Sequence, residues 1–113
     1  MSLRAAAVAA VLMLAGGPAV AQRTYEGSEA AALRCANTMA FTAIALSETG
    51  RMTEVEKDVL LGVTVLILER HVSGTWAQKK AALEVVRDRR DTLETLQDFE
   101  MFAETCLRQF PIN

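Results

Sequence analysis

Two cysteines, Cys35 and Cys106, are the residues of this sequence best suited to defined chemistry. In an oxidising compartment, two cysteines of one small domain pair as a disulfide. The bridge would close a loop of about 70 residues, which contributes on the order of 4 kcal/mol in the loop-closure model. A small domain has a net stability of similar size, so the bridge would matter to folding. We therefore predict a disulfide between Cys35 and Cys106.

A soft metal site is the alternative chemistry for one of these cysteines. Cys35 and Met39 lie four residues apart and share a helix face, and a thiolate with a thioether suits cuprous copper. The sequence contains no Cys-x-x-Cys pair, no haem-attachment motif and no Met-x-Met or His-x-His run. We therefore predict no metal site and no cofactor, and we interpret Met39, Met52 and Met101 as core residues.

The single histidine, His71, is the next candidate for chemistry. A catalytic triad needs a nucleophile, a base and an orienting acid in mutual contact, and no local pattern around His71 supplies them. His71 follows Glu69 and Arg70 at the end of a predicted helix, where an imidazole complements the helix dipole. We predict a role at the helix terminus and no enzymatic activity.

The remaining charged residues match no catalytic or phosphate-binding motif. The acidic residues of the last predicted helix lack the Glu-x-x-His pattern of di-iron bundles, and Asp88 and Asp91 interrupt a basic cluster. We interpret most of the acidic residues and the basic cluster as solvated surface, with an anion site as the alternative for the basic cluster. With 12 Lys and Arg against 14 Asp and Glu, the chain lacks the basic excess of a nucleic-acid binder. The acidic residues are Glu94, Asp98, Glu100 and Glu104, and the basic ones are Lys79, Lys80, Arg87, Arg89 and Arg90.

Residues 1–21 have the pattern of an export signal. A positively charged start precedes an apolar stretch at 5–15, a Gly-Gly-Pro interruption and a small-x-small cleavage site at 19–21. An uncleaved anchor is the alternative, but a membrane span needs about 20 apolar residues and this stretch is shorter. We predict cleavage of 1–21, a single mature domain over 22–113 without a membrane span, and a periplasmic or secreted location.

Apolar spacing divides the mature chain into four helical segments. Each follows an N-cap or capping-box pattern, a glycine ends the first, and a proline ends the last. The start patterns are Ser28, Thr53-Glu54-Val55-Glu56, Thr75-Trp76-Ala77-Gln78 and Asp91-Thr92-Leu93-Glu94, and the ends are Gly50 and Pro111. Short connections make consecutive helices antiparallel neighbours, so we predict an all-α, up-down-up-down four-helix bundle. This topology places Cys35 and Cys106 near the same end of the bundle.

The second segment is unusual because residues 59–68 are apolar at every position except Thr64. A helix that is apolar all round lies in the interior or presents one face to another protein. A buried strand is the alternative for a short apolar run rich in β-branched residues. The capping box before it and the lack of a second strand-like run favour a helix, since a lone strand has no pairing partner.

In size, leader and cysteine content, the chain resembles the small exported helical proteins with one internal disulfide, of which periplasmic acid-stress chaperones are an example. Cys35 and Cys106 bracket the domain, whereas theirs join interior segments, and the resemblance implies no functional residue. We predict an exported protein that acts by protein–protein contact, as an adapter, an accessory subunit, an inhibitor or a holdase chaperone. Its partner would be a protein of the cell envelope.

The predicted interface residues are large apolar side chains in a domain with few residues to cover them. They are Leu66, Ile67, Trp76 and Phe110. Core packing is the alternative for each of them. The alternative function is a carrier whose bundle interior holds an apolar ligand or a soft metal, with Met39 and Met101 lining the cavity.

Overall fold

A computed structural model describes residues 23–113 as four α-helices, with no strand in that range. The helices are α1 (Gly27–Glu48), α2 (Glu54–His71), α3 (Trp76–Arg89) and α4 (Thr92–Gln109). The all-α prediction is confirmed, and the strand alternative for the second segment is wrong. The predicted signal peptide, residues 1–21, lies outside the described residues.

Capping side chains start two of the helices as the sequence predicts. The hydroxyl of Thr53 accepts from the backbone N–H of Glu56 at 3.2 Å, and that of Thr75 accepts from the N–H of Gln78 at 3.1 Å. In each box the side chain three residues after the threonine, Glu56 or Gln78, accepts from the backbone N–H of that threonine. Each box therefore satisfies two donors that would otherwise be unpaired. Asp91 is the N-cap of α4, although its side chain makes no capping bond.

The start of α1 differs from the prediction. Its N-cap is Glu26 in extended conformation, with no side-chain cap, and Ser28 is already inside the helix. Gly27 takes a φ of +59°, which a residue without Cβ adopts easily, so the chain turns into the helix one step before Ser28. The predicted Ser28 cap is therefore wrong by two residues.

The end of α1 forms around Gly50 as predicted. Gly50 has a φ of +72°, its N–H donates to the carbonyl of Ser47 at 3.2 Å, and the N–H of Arg51 donates to Leu46 at 2.8 Å. These two bonds form a Schellman motif, which needs the left-handed conformation that glycine tolerates. The chain leaves α1 at a fixed angle and reaches α2 after a short turn.

Helix α1 is the central element of the fold. It packs against α2, α3 and α4, whereas contacts among those three helices are sparse. Ala32, Ala36 and Ala43 have no exposed surface, and their small side chains let neighbouring backbones come close. The sequence predicts that consecutive helices pack on one another. In the structure, α2, α3 and α4 each pack mainly on α1.

The helix directions follow from contacts near the start of α1. The hydroxyl of Tyr25 donates to the carbonyl of Ser73 at 2.7 Å, so the end of α2 and the start of α3 lie beside the start of α1. The Cys35–Cys106 disulfide joins the first half of α1 to the last turns of α4. The helices thus alternate in direction along the chain as predicted, with α1 and α3 parallel.

Helix α2 does not lie in the interior. Thr64, Ile67 and Leu68 are buried against α1, while Val55 and Val59 on the opposite side are 73% and 61% exposed. Of the two alternatives for an all-apolar helix, the interior position does not hold for α2, because its outer side is exposed in the described structure. Helix α1, which is half buried, is the one described helix whose length and composition would allow it to cross a membrane.

The core combines residues from α1, from the end of α2 and from the segment after α4. Its buried members are centred on α1, and partly buried side chains of α3 and α4, including Phe99, cover it. The buried members are Ala32, Leu33, Cys35, Ala36, Met39, Ile67, Leu68, Val72 and Phe110. This core fixes the other three helices on the first half of α1.

Candidate functional site

The predicted disulfide is present and links α1 to α4. Cys35 is buried in α1 and Cys106 is half-buried in α4, with their Cα atoms 5.8 Å apart. The described residues contain no free cysteine. Since both sulfur atoms are used in the bridge, Cys35 cannot also serve with Met39 as a soft metal ligand.

His71 ends α2 as predicted and contacts the C-terminal segment. Its Nε2 lies 2.7 Å from the carbonyl oxygen of Pro111, so the ring N–H donates there, and the ring packs edge-on against Phe110 with centroids 5.4 Å apart. These contacts occupy the ring in packing the chain end onto α2. Within residues 23–113, no three His, Cys, Asp or Glu side chains gather in a way that could hold a metal ion.

The four predicted interface residues occupy different environments. Ile67 and Phe110 belong to the core, which is the packing alternative for both, and they are not available to a partner in this structure. Trp76, at the start of α3, is 48% exposed, and Leu66 is half-buried on α2. The structure does not bring the four into one patch, and for Trp76 and Leu66 the interface stays a prediction.

The methionines do not form the predicted carrier cavity. Met39 is fully buried in the core, as expected of a filling residue, and Met52 is half-buried. Met101 is 70% exposed on α4, so the prediction of a core role is wrong for it. A ligand space lined by Met39 and Met101 together is therefore not present.

An open cleft of about 390 Å³ lies between α1 and α3, beside the extended residues 23–25. We call it the arginine cleft, because four arginines from three parts of the chain line it. They are Arg23, Arg34, Arg89 and Arg90. The apolar lining comes from Ala30, Leu33, Ala81, Ala82, Val85 and Val86. None of the described residues that line it is acidic, so the lining carries only positive charge although the whole chain has a net charge of −2.

The four arginines differ in how far their charge is already compensated. Arg90 pairs with Asp98, and its Nη2 lies 3.9 Å from Glu94. The Nε atom of Arg90 is nevertheless buried without an acceptor in the described structure. Arg23, Arg34 and Arg89 form no ion pair within residues 23–113, although Glu29 lies near enough to Arg23 for the two charges to interact.

A network at the start of α1 fixes the N-terminal edge of the arginine cleft. One oxygen of Glu29 accepts from the backbone N–H and from the hydroxyl of Ser73, each at 2.6 Å. These bonds, together with the nearby Arg23 and Lys79 charges, lower the pKa of Glu29 below its ordinary value. The Arg23 guanidinium also lies 5.4 Å from the centre of the Tyr25 ring. The segment that carries Arg23 is thereby held against the α2–α3 connection.

Sequence reasoning missed two of the four arginines. Arg89 and Arg90 belong to the basic cluster that we interpret as solvated surface, but Arg23 and Arg34 were not candidates. A signal was available for Arg34, because it is the only charged residue of α1 between Glu29 and Glu48. An arginine inside an apolar, alanine-rich helix is a candidate for a defined contact.

The outward side of α2 is a second exposed surface, which we call the α2 outer face. The spacing of its members places them on one side of the helix, opposite the buried Thr64, Ile67 and Leu68. They are Val55, Val59, Gly62, Val65 and Leu66. All are exposed except Leu66, which is half-buried. The exposed carboxylates Asp58 and Glu69 lie on the same side of the helix, so this face is apolar only in part.

A second cleft, of about 320 Å³, lies further along α1 and α3 and is mostly apolar. Phe41, Ile44 and Leu83 line it together with Asn37. Asn37 is 3% exposed, and its amide nitrogen finds no acceptor within residues 23–113. A buried donor without an acceptor is costly, so this position favours an acceptor from outside the chain.

Known proteins give no guide to the role of these surfaces. Comparison with family models, with curated proteins and with solved structures finds no match to this chain.

Proposed function

We propose that this chain is an exported contact protein, which binds an acidic segment of a partner protein in the arginine cleft. The observation that carries the proposal is the composition of the cleft. Four arginines and a lining of Ala, Val and Leu side chains face one open space, and no acidic residue is among the described lining residues. An extended segment with alternating acidic and apolar side chains matches both properties of this cleft.

The chemistry of the guanidinium group supports a carboxylate ligand. Its planar fork donates two parallel N–H bonds to a carboxylate, and it loses less hydration on binding than an ammonium group. The apolar lining excludes water from such a pair and strengthens the interaction.

Export to the periplasm or the exterior is part of the proposal. The leader pattern of residues 1–21 supports it, and the Cys35–Cys106 disulfide is compatible with an oxidising compartment. In such a compartment the partner would be another exported or envelope protein. An adapter, an accessory subunit or an inhibitor all fit this binding mode.

Fluorescence anisotropy with a labelled peptide of alternating Glu and Leu residues tests the cleft. We expect binding that weakens with added salt, and a loss of roughly tenfold or more in affinity for Arg34→Glu and for Arg89→Glu. The matched control is Arg51→Glu, which makes the same charge change in the exposed turn after α1. Equal losses in all three variants would reduce the effect to net charge, and no binding by the wild type would refute the proposal.

A second candidate function is carriage of a small apolar ligand, which the mostly apolar cleft beside Asn37 favours. The unpartnered amide nitrogen of Asn37 would donate to an acceptor on such a ligand, while Phe41, Ile44 and Leu83 would contact its apolar part. Native mass spectrometry of protein purified without denaturation decides between the candidates. A retained small molecule that is lost in Asn37→Leu would favour the carrier, and unliganded protein would favour the contact protein.

A further inference from the structure

Arg34 lies between two clefts of the described structure. The arginine cleft is on the α3 side of it, and a third cleft, of about 300 Å³, is on the α4 side. We call the latter the disulfide cleft, because Cys35 and Cys106 belong to its lining. Arg34 and Arg90 line both clefts. The two clefts therefore adjoin each other and meet at these two side chains.

The lining residues of the two clefts come from one face of each helix. On α3 and on α4 they recur at every third or fourth position, which is the spacing of a single helix face. Helix α1 packs against both helices, whereas contacts between α3 and α4 are sparse. Helix α1 with Arg34 is therefore the floor of one trough, and α3 and α4 are its walls. The lining residues of the walls include Ala81, Val85 and Arg89 on α3 and Asp98, Phe102 and Thr105 on α4.

The two sides of this trough differ in charge. The α3 side carries Arg23 and Arg89, which form no ion pair among the described residues. The α4 side carries Asp98, which pairs with Arg90, so this ion pair adds no net charge. Phe102 lines the same side and is 51% exposed. The trough therefore favours an acidic side chain on the α3 side and a large apolar side chain on the α4 side.

We propose that the acidic segment of the partner lies along this trough in extended conformation, with its acidic side chains towards α3 and its apolar side chains against Phe102 on α4. This inference rests on the proposed function and adds which side chains of the partner meet which wall. Successive side chains of an extended segment point to opposite sides, so alternating acidic and apolar residues match the two walls. Charge complementarity selects the acidic residues, and the continuity of the two clefts lets one segment reach both walls.

The dimensions of the trough set the length of the segment and the best apolar residue. The α4 wall from Asp98 to Gln109 extends about 17 Å, at about 1.5 Å per residue of helix. Extended residues rise about 3.3 Å each, so about five of them cover this wall. An aromatic side chain gains from packing on the ring of Phe102 beyond the burial of its area. The apolar positions of the segment are therefore expected to prefer Phe over Leu, and Leu over Ser.

Fluorescence anisotropy with three labelled peptides of equal length tests this arrangement. Each peptide alternates Glu with one other residue, which is Phe, Leu or Ser. We expect the Phe peptide to bind tightest and the Ser peptide weakest, with affinities roughly tenfold apart or more. Phe102→Ala is expected to weaken the Phe peptide roughly fivefold and to leave the Ser peptide unchanged. General damage to the fold would instead weaken all three peptides alike.

Met101→Ala is the matched control for Phe102→Ala. Met101 is the preceding residue of α4 and is 70% exposed, but it is outside the described lining of both clefts. We expect this variant to bind each peptide as the wild type does. A benzophenone side chain in place of one Phe of the peptide is expected to cross-link to α4, within residues 98–109, on irradiation.

These measurements separate the arrangement in the trough from the proposed function. If none of the three peptides bound the wild type, both would be refuted. If the peptides bound and Arg34→Glu weakened them, but Phe102→Ala had no more effect than Met101→Ala, acidic recognition would be retained and the arrangement between two walls overturned. Equal affinity for the Phe and Ser peptides, or cross-links to α3 instead of α4, would overturn the arrangement in the same way.

Discussion

Helices α1 and α2 are the two most apolar helices of the described chain, and they have opposite places in the fold. Helix α2 has the longer unbroken apolar run, yet its outer side is exposed, whereas α1 contacts all three other helices. The difference lies in side-chain size. Helix α1 carries alanine where it meets its neighbours, and several helices can approach a thin helix at once. Position in the core therefore follows side-chain volume as well as hydropathy.

The two sides of α2 provide the strongest test of this comparison. Ile67 has no exposed surface, so Ile67→Asp buries an unpaired carboxylate. We expect a loss of more than about 4 kcal/mol, a large part of a small domain's net stability, and therefore an unfolded chain. Circular dichroism and thermal melting measure this directly.

Leu66→Asp is the matched control, one residue away on the outer side. Leu66 is half-buried, so a carboxylate introduced at this position can remain hydrated. We therefore expect a folded protein with a modestly lower melting temperature. If Leu66→Asp unfolded the chain as completely as Ile67→Asp, the outer side of α2 would be part of the core, and the comparison between α1 and α2 would be wrong.

The disulfide gives the next largest effect, because it ties α4 to α1 covalently while α2 is held to α1 by packing and hydrogen bonds alone. The sequence separation of the cysteines is 71, for which the loop-closure model gives about 4 kcal/mol. We expect the Cys35→Ala and Cys106→Ala double variant to melt roughly 15–30 °C lower than the oxidised protein.

A reductant provides the control for the disulfide prediction. Reduction is expected to lower the melting temperature of the wild type and to have no effect on the double variant, which has no bridge. A wild-type shift of only a degree or two would show that packing alone holds α4 on α1.

Local signals were sufficient to predict most of the fold. Thr53 and Thr75 each start a helix through bonds within four residues, and Gly50 ends one. A short stretch of sequence is therefore enough to predict each of these features. The cysteine pairing followed from there being only two cysteines and from alternating helix directions. Ser28 failed as a cap because Gly27 turns the chain into the helix earlier.

The arrangement around α1 and the arginine cleft could not be predicted in the same way. The cleft joins Arg23, Arg34 and Arg89, which are far apart in the sequence and meet only because α1 and α3 run parallel. Hydropathy alone could not decide whether α2 lies in the interior or presents one face to another protein. It ignores that alanine leaves room for several neighbours, which is a property of the packed structure.

A larger side chain introduced into α1 and into α2 compares the packing of the two helices, with a smaller expected loss of stability. Ala36→Leu inserts three carbon atoms where α1 has no exposed surface, and overpacking of this kind costs about 1–3 kcal/mol. Val59→Leu adds one carbon atom on the exposed side of α2, where we expect a change within about 0.5 kcal/mol. Chemical denaturation of both variants measures the difference, and equal losses would mean that α1 is not more tightly packed than α2.

The smallest expected effect concerns the polar contacts by which α1 holds the end of α2. Because folding lowers the pKa of Glu29, its contribution to stability is complete above the ordinary glutamate value of 4.5 and is lost as the pH falls through the lowered pKa. Glu29→Gln is expected to lower the melting temperature slightly at neutral pH and to reduce its fall in acid. Glu104→Gln, an exposed glutamate of α4, is the control and is expected to leave the pH profile unchanged. If the two variants had the same profile, the bonds from Ser73 to Glu29 would not stabilise the fold, and the apolar core alone would hold α2 on α1.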